Sequence, residues 1–313
     1  MEHRPLGRSG LSIAPLMLGG NVFGWTADET TSHAILDAFV DGGFNAIDTA
    51  DVYSAWVPGN TGGDSERVIG SWLKARGRRE DVVLATKVGM WPARPGLRAA
   101  NVITACEESL TRLRTDYIDL YQAHRDDADT PQDETLEACD RLVRAGKVRA
   151  VGASNFEADR LATAAAISRA RGFPRFDTLQ PAYNLMDRTV EGALQQLCLA
   201  ENVSIISYYG LASGFLTGKY RSMEDLGKSP RGGGMKKHLE SEKGPRVLAA
   251  LDSVAAALGA TPAQVALAWV MARPAVAAPI ASATSLAQLE ELMGAAHLSL
   301  DPAHIARLDA ASA

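Results

Sequence analysis

The chain has 313 residues, 46% of them hydrophobic and 22% charged, and a formal charge of −5. That length holds one large α/β barrel or two ordinary domains, and the composition is that of a globular protein. Scattered Lys and Arg in an acidic chain leave no electrostatic footprint for nucleic acid or acidic membranes, and no apolar run reaches the ~18 residues needed to span a bilayer.

The opening HRPLGRSGLSI (3–13) places a Gly-rich turn between short extended runs and reads as a β-hairpin ahead of the main fold. The polar first ten residues lack a signal-peptide core, and Cys106, Cys139 and Cys198 form no Cys-x-x-Cys pair. Reduced core thiols and a cytoplasmic location are therefore expected. Eight short apolar or β-branched runs follow, at 13–20, 44–50, 82–88, 117–124, 148–154, 177–183, 203–209 and 275–281. Longer amphipathic segments separate them. In the first, Ile35, Leu36 and Phe39 share a face and Gly42 supplies the stop.

Alternation of this kind implies parallel strands joined by helical crossovers. Eight units without a linker favour a closed (β/α)8 TIM barrel, one domain over 1–313, above an open doubly wound sheet. The polar, Gly-containing stretch 218–244 reads as a long loop after strand seven. Nothing in the pattern sets an oligomeric state.

In such a barrel the C-terminal strand ends form the reaction face. Asp48 closes strand two, Lys87 strand three and His124 strand four. Ser154 and Asn155 end strand five, and Gln180 lies on strand six. Alternation puts Val83, Ala85 and Lys87 on one face, and gives Phe44, Ala46 and Asp48 the same inward reading. Taken singly, each polar residue is an ordinary turn, cap or packing residue; the functional reading rests on their convergence. A buried lysine needs a carboxylate partner, and Asp48 is available. An ammonium beside Tyr53 is expected to lower the phenol's pKa from its reference of ~10. Asp48, Tyr53, Lys87 and His124 then form a proton-donating site suited to a carbonyl oxygen. Asp51, equally acidic, reads as a loop residue without a partner. Trp25, Trp56 and Trp91 fall on loops expected to rim the mouth and wall the substrate pocket.

At these residues the chain resembles the aldo-keto reductases. DTADVYS (48–54), LATKVG (84–89), YIDLYQAH (117–124), GKVRAVGASNF (146–156), LQPAYNLMDR (179–188) and GFLTGKY (214–220) look like family blocks in family order. The resemblance implies NADPH-dependent reduction of a small-molecule aldehyde or ketone, with NADH left open. It assigns Tyr53 as proton donor, Lys87 and Asp48 as its helpers, and His124 as the group orienting the carbonyl. It places the nicotinamide carboxamide on Ser154, Asn155 and Gln180, and a stacking ring on Tyr208. Further cofactor contacts fall on Tyr209, Leu211, Ser213, Lys219, Arg231, Ser282, Ser285, Gln288 and Glu291.

Two departures stand out. Tyr208-Tyr209-Gly210-Leu211 occupies the place of a common Tyr-Ser-Pro-Leu. Ser282, Ser285 and Gln288 occupy positions that often offer a Lys or Arg to the adenosine 2′-phosphate, which a hydroxyl or amide holds without a charge-assisted bond. Arg231, Lys236 and Lys237 in the long loop are the basic residues that could close over the cofactor instead. The alternatives are a cofactor-binding regulatory subunit of the same fold and a metal-dependent barrel hydrolase using His124, Asp126, Asp127 and Asp129. No Gly-x-Gly-x-x-Gly follows a strand, and 214–220 is one residue short of a Walker loop.

Overall fold

A computed structural model describes residues 1–229 and 232–313. Arg231 therefore lies outside the described residues. Strands β1 (Arg4–Pro5) and β2 (Ser12–Ile13) pair antiparallel as the expected hairpin. Eight parallel strands then close a barrel: β3 (Met17–Gly19), β4 (Ala46–Asp48), β5 (Val83–Val88), β6 (Ile118–Ala123), β7 (Val148–Ser154), β8 (Phe176–Gln180), β9 (Ser204–Ser207) and β10 (Val276–Ala281). The barrel is sealed where β10 pairs with β3, Ile280 opposite Met17.

Helices α1 (Glu29–Asp41), α2 (Asp64–Arg76), α3 (Ala99–Leu113), α4 (Gln132–Arg144), α5 (Ala158–Arg171) and α6 (Ala193–Glu201) make the successive crossovers. α1 forms where expected. Asp28 caps it by accepting from Thr31 N, Ile35, Leu36 and Phe39 are buried, and Gly42 ends it. The 218–244 stretch is not one loop. It contains 3₁₀ turns, a single-turn helix α7 (Lys236–Leu239) and the start of α8 (Lys243–Leu258). α9 (Pro262–Met271) then leads to β10, and α10 (Leu286–Gly294) and α11 (Pro302–Ser312) complete the chain. Among the described residues no single helix is long and apolar enough to cross a membrane.

Two apolar layers result. Met17, Ala46, Val83, Ala85, Leu120, Ala150, Ile206 and Ile280 fill the barrel interior, and a larger layer lies between strands and helices. The three cysteines are free and buried, and burial pushes each thiol up to about 12.

The runs at 44–50, 177–183 and 203–209 stop early, at Asp48, Gln180 and Ser207, and two strand starts lie more than one residue from expectation. The run at 13–20 splits, because Ile13 belongs to the hairpin and only Met17–Gly19 enters the barrel. Phe44 precedes β4 and stacks on Phe39 of α1 at 5.0 Å, so it packs outside the barrel rather than inside with Ala46. Gly43 has φ +85°, and the turn it makes rotates Phe44 out of the alternation.

The hairpin covers the end of the barrel where strands begin. Gly7 N donates to Ser204 Oγ and Arg8 N to Asp177 Oδ1, both at strand starts. Access is thereby directed to the opposite end, where the polar strand ends gather.

Candidate active site

Asp48 is the last residue of β4 and pairs in register with Ala85 of β5. Lys87 lies two residues further along β5 on the same face, so its stem reaches back over Ala85 toward the carboxylate. Lys87 is fully buried. Its Nζ donates to Asp48 Oδ2 at 2.6 Å, to Tyr53 Oη at 2.8 Å and to the carbonyl of Thr49 at 2.9 Å. Three N–H groups thus meet three acceptors, which offsets part of the desolvation cost of a buried ammonium. Burial still lowers the Lys87 pKa, against the upward pull of Asp48.

Tyr53 comes from the turn after β4. Thr49 N bonds Ala85 O, Asp51 N bonds Lys87 O, and Ser54, at φ +68°, donates its hydroxyl to Phe23 O. The turn is therefore fixed against β5, and the phenol reaches Lys87 Nζ and Asp48 Oδ2, the latter at 3.3 Å.

The expected depression of the phenol pKa is not what this geometry gives. Burial of the hydroxyl and the adjacent Asp48 carboxylate hold the Tyr53 pKa well above its ordinary value. A negative neighbour and a dry environment both disfavour phenolate. Tyr53 is a firmly held acid rather than an easily ionised one.

Gln180 of β8 does not face the mouth alone. Its Nε2 donates to Asp48 Oδ1 at 3.0 Å and to Gln122 Oε1 at 3.2 Å. Gln122 of β6 is fully buried and its Nε2 lies 3.4 Å from Asp48 Oδ1. The sequence reading missed Gln122. Alternation in the 117–124 run places it on the face of Leu120, a polar residue in a row directed at the barrel interior, and that was the available signal.

Around this centre, Ser154 Oγ donates to Gln180 O at 2.8 Å, and Asn155, at φ +56°, donates from Nδ2 to His124 O and Ser154 Oγ. Tyr208 donates its hydroxyl to Asn155 Oδ1 at 2.7 Å. Ser154, Asn155, Gln180 and Tyr208 are therefore one connected set. The His124 ring packs edge-on to Tyr53 with centroids 6.0 Å apart, and its Nδ1 is buried without a partner. Burial and the nearby Lys87 charge hold the His124 pKa well below its ordinary value, so the imidazole is neutral and carries one N–H.

Trp56 and Trp25 meet edge to face at 5.7 Å, and Trp56 meets Tyr53 at 6.2 Å. Trp91 has the guanidinium groups of Arg94 and Arg112 over its ring. Asp51 lies in the Tyr53 turn with neither carboxylate oxygen bonded, as the sequence implied, yet it is buried rather than exposed. Burial, with Glu66 adding to it, pushes the Asp51 carboxyl up to about 7.

The residues after β9 make a tight left-handed turn. Ala212, Ser213 and Gly214 have successive φ values of +47°, +57° and +97°, and the turn closes on itself, Ala212 N donating to Tyr209 O and Gly214 N to Leu211 O. A side chain at Gly214 would come within 3.5 Å of Lys219 Nζ, so an ammonium borders this turn. Leu211 is half-buried and Tyr209 is exposed beside Tyr208, their rings 4.8 Å apart. Beyond them, Ser282 Oγ donates to Asn21 Oδ1, and Ser285 caps α10 by accepting from Gln288 N. Gln288 Oε1 accepts from Thr284, and Glu291 O accepts from Gln264 Nε2. Lys236 and Lys237 are exposed on α7, and Lys236 pairs with Glu240.

The acidic stretch after His124 has structural work to do. Asp126 grips Arg160 through both oxygens at 2.6 and 2.9 Å, and Asp127 Oδ2 accepts from Leu97 N and Thr130 Oγ1. Among the described residues no group of three or more His, Cys, Asp and Glu side chains is placed to hold a metal.

The model of the aldo/keto reductase family matches residues 15–313. The chain is 38% identical to an uncharacterized oxidoreductase, YrpG, of Bacillus subtilis, over 96% of this chain and 93% of that protein. It is 32% identical to protein tas of Escherichia coli over 99% and 97% of the two chains. It is 30% identical to the aldo-keto reductase AMT2 of Alternaria alternata over 98% and 90%. With this barrel and these relatives along nearly its whole length, the chain belongs to the aldo/keto reductase family, as an oxidoreductase.

Proposed function

We propose that this protein reduces an aldehyde or ketone to an alcohol, with NADPH as reductant and Tyr53 as proton donor. The observation that carries the reading is the single ammonium of Lys87 bonded to both Asp48 Oδ2 and Tyr53 Oη inside the barrel mouth. When bound, the reduced nicotinamide supplies hydride to the carbonyl carbon. Ser154, Asn155 and Gln180 hold its carboxamide end and Tyr208 offers a ring face. Lys219, beside the Ala212–Gly214 turn, receives the pyrophosphate, with the Ser282–Glu291 segment toward the adenosine.

The raised Tyr53 pKa suits this role. As the carbonyl oxygen gains charge it approaches an alkoxide, comparable in basicity to hydroxide. A strongly basic oxygen of this kind is the acceptor that a firmly held phenol requires, while loss of that proton to solvent near neutrality is suppressed. Neutral His124 donates one N–H toward the same oxygen and adds no competing charge. The serines and glutamine at the adenosine end discriminate weakly, so NADH serves as a poorer alternative. Three buried thiols fit a cytoplasmic location.

The test is oxidation of NADPH by 4-nitrobenzaldehyde. Tyr53→Phe removes the proton and is expected to lower kcat by about 10²- to 10⁴-fold. Equal rates for wild type and variant would refute the assignment.

A further inference from the structure

We propose that Gln122 is a positioning residue for the reaction: with Gln180 it holds Asp48 Oδ1 and joins the carboxamide end of the cofactor site to the proton donor through two side-chain amides. The inference rests on the reading of Tyr53 as the acid. Asp48 meets four donors, two on each oxygen. Lys87 Nζ and Tyr53 Oη donate to Oδ2, and Gln180 Nε2 and Gln122 Nε2 approach Oδ1 at 3.0 and 3.4 Å. Turning either amide over would set an oxygen against the carboxylate and lose the bond from Gln180 Nε2 to Gln122 Oε1, so electrostatics fixes both orientations.

The barrel makes room for this amide. Gly152 on β7 pairs with Gln122, and a Cβ there would lie 3.1 Å from Gln122 Cγ and 2.2 Å from Thr178 Oγ1. The layer beneath is aliphatic, with Leu120, Ala150 and Ile206. A leucine in place of Gln122 would fill similar volume without a polar group to satisfy. The hydrogen bonds that satisfy Gln122 run to Asp48 and Gln180, both at the site.

The consequence is directional. Both N–H groups of Gln180 are committed, one to Asp48 and one to Gln122, whereas its Oε1 takes no protein hydrogen bond among the described residues. Oε1 is the atom left to accept from a carboxamide N–H. A bond accepted there polarises the amide and strengthens its donation to Asp48 Oδ1. Charge drawn toward Oδ1 weakens the hold of Oδ2 on the Tyr53 hydroxyl, whose bond to it is already long at 3.3 Å. The phenol proton is then freed toward the substrate once the carboxamide is in place. Gln122 keeps a donor on Oδ1 throughout and holds the carboxylate plane.

Three variants test this together. Gln122→Leu is expected to leave the NADPH dissociation constant, read by fluorescence without substrate, within about threefold of wild type. Its single-turnover reduction of 4-nitrobenzaldehyde should slow about 10- to 100-fold, with a shifted pH–rate profile. Gln122→Glu places a second carboxyl against Asp48, where it is retained as the protonated donor. Its folded-state pKa is raised, so the melting temperature of the cofactor-free protein should fall as pH rises from about 5 to 8, unlike that of Gln122→Leu. Its rate should recover toward the acid end. Wild-type rate and pH profile in Gln122→Leu, beside an inactive Tyr53→Phe, would overturn the positioning role alone. So would a rate loss matched by an equal loss of NADPH affinity, or a Gln122→Glu melting temperature that ignores pH. An active Tyr53→Phe would remove the acid itself, and the positioning role with it.

Discussion

Asp48 and Lys87 are 39 positions apart in the chain and 2.6 Å apart at the barrel mouth, and both are buried. Adjacency of β4 and β5 creates the contact, because Asp48 sits opposite Ala85 and the next inward residue of β5 is Lys87. Removing two charges from water is costly, and such a pair is weak as a source of stability. Its position beside the Tyr53 hydroxyl gives it a different use.

Stability and activity should therefore separate at this pair. Lys87→Met strands the Asp48 carboxylate and is expected to cost about 3–5 kcal/mol in urea denaturation, with loss of carbonyl reduction. Adding Asp48→Leu should return much of that stability and none of the activity. Recovery of turnover in the apolar double variant would contradict the role of Lys87.

Asp51 predicts a pH-dependent weakness. The folded protein keeps this carboxyl protonated up to about pH 7, where the ordinary value is 3.8. Between those values the folded state holds a proton that the unfolded chain releases, so stability falls as pH rises through the window and stays low above it. The shift corresponds to roughly 4 kcal/mol as an upper figure. Asp51→Asn should match wild type near pH 4 and exceed it by about 2–4 kcal/mol at pH 8. Urea titrations at the two pH values decide this, and an equal difference at both would remove the Asp51 explanation.

The aromatic rim should read substrate shape. Trp56 is 50% exposed and packs against both Trp25 and Tyr53. Trp56→Ala is expected to raise KM for aromatic aldehydes about 3- to 10-fold and to change small aliphatic aldehydes less. Trp91→Ala, between Arg94 and Arg112, should leave both unaltered within about twofold. A KM panel distinguishes the two tryptophans.

Cofactor affinity and cofactor choice should respond to different residues. Lys219→Ala removes a charge beside the Gly214 turn and should weaken NADPH and NADH alike, by about tenfold. Gln288→Arg supplies a guanidinium at the adenosine end and should tighten NADPH over NADH by a similar factor. Fluorescence titration with both cofactors measures each effect; a change of preference in Lys219→Ala would place that lysine elsewhere.

Much of this architecture was legible because it rests on periodicity. Alternation put Lys87 on the face of Val83 and Ala85, and the barrel interior holds all three. Alternation failed at Phe44, where the turn at Gly43 intervenes before the strand begins. Residue types named the Asp48–Tyr53–Lys87 cluster but not its electrostatic balance. The phenol pKa depends on how deeply its oxygen lies and how near Asp48 stands, and neither quantity is local in sequence. Gln122 was passed over for the same reason, since its importance lies in partners on other strands. Nor does a loop position distinguish Trp91 from Trp56; the Arg94 and Arg112 contacts of Trp91 come from the folded chain.

Closure of the barrel between β3 and β10 also has a consequence for synthesis. β3 emerges early, yet one of its two neighbours, Val276–Ala281, is made more than 250 residues later. At ~5–20 residues per second that interval is on the order of tens of seconds, during which an apolar strand has an open edge. Arg4 takes part in the same late event, since its guanidinium donates to Met271 O at 2.8 Å and to Val276 O at 3.2 Å. Damage to this seam should therefore appear as a lower yield of folded protein from the ribosome, even where the finished molecules work normally.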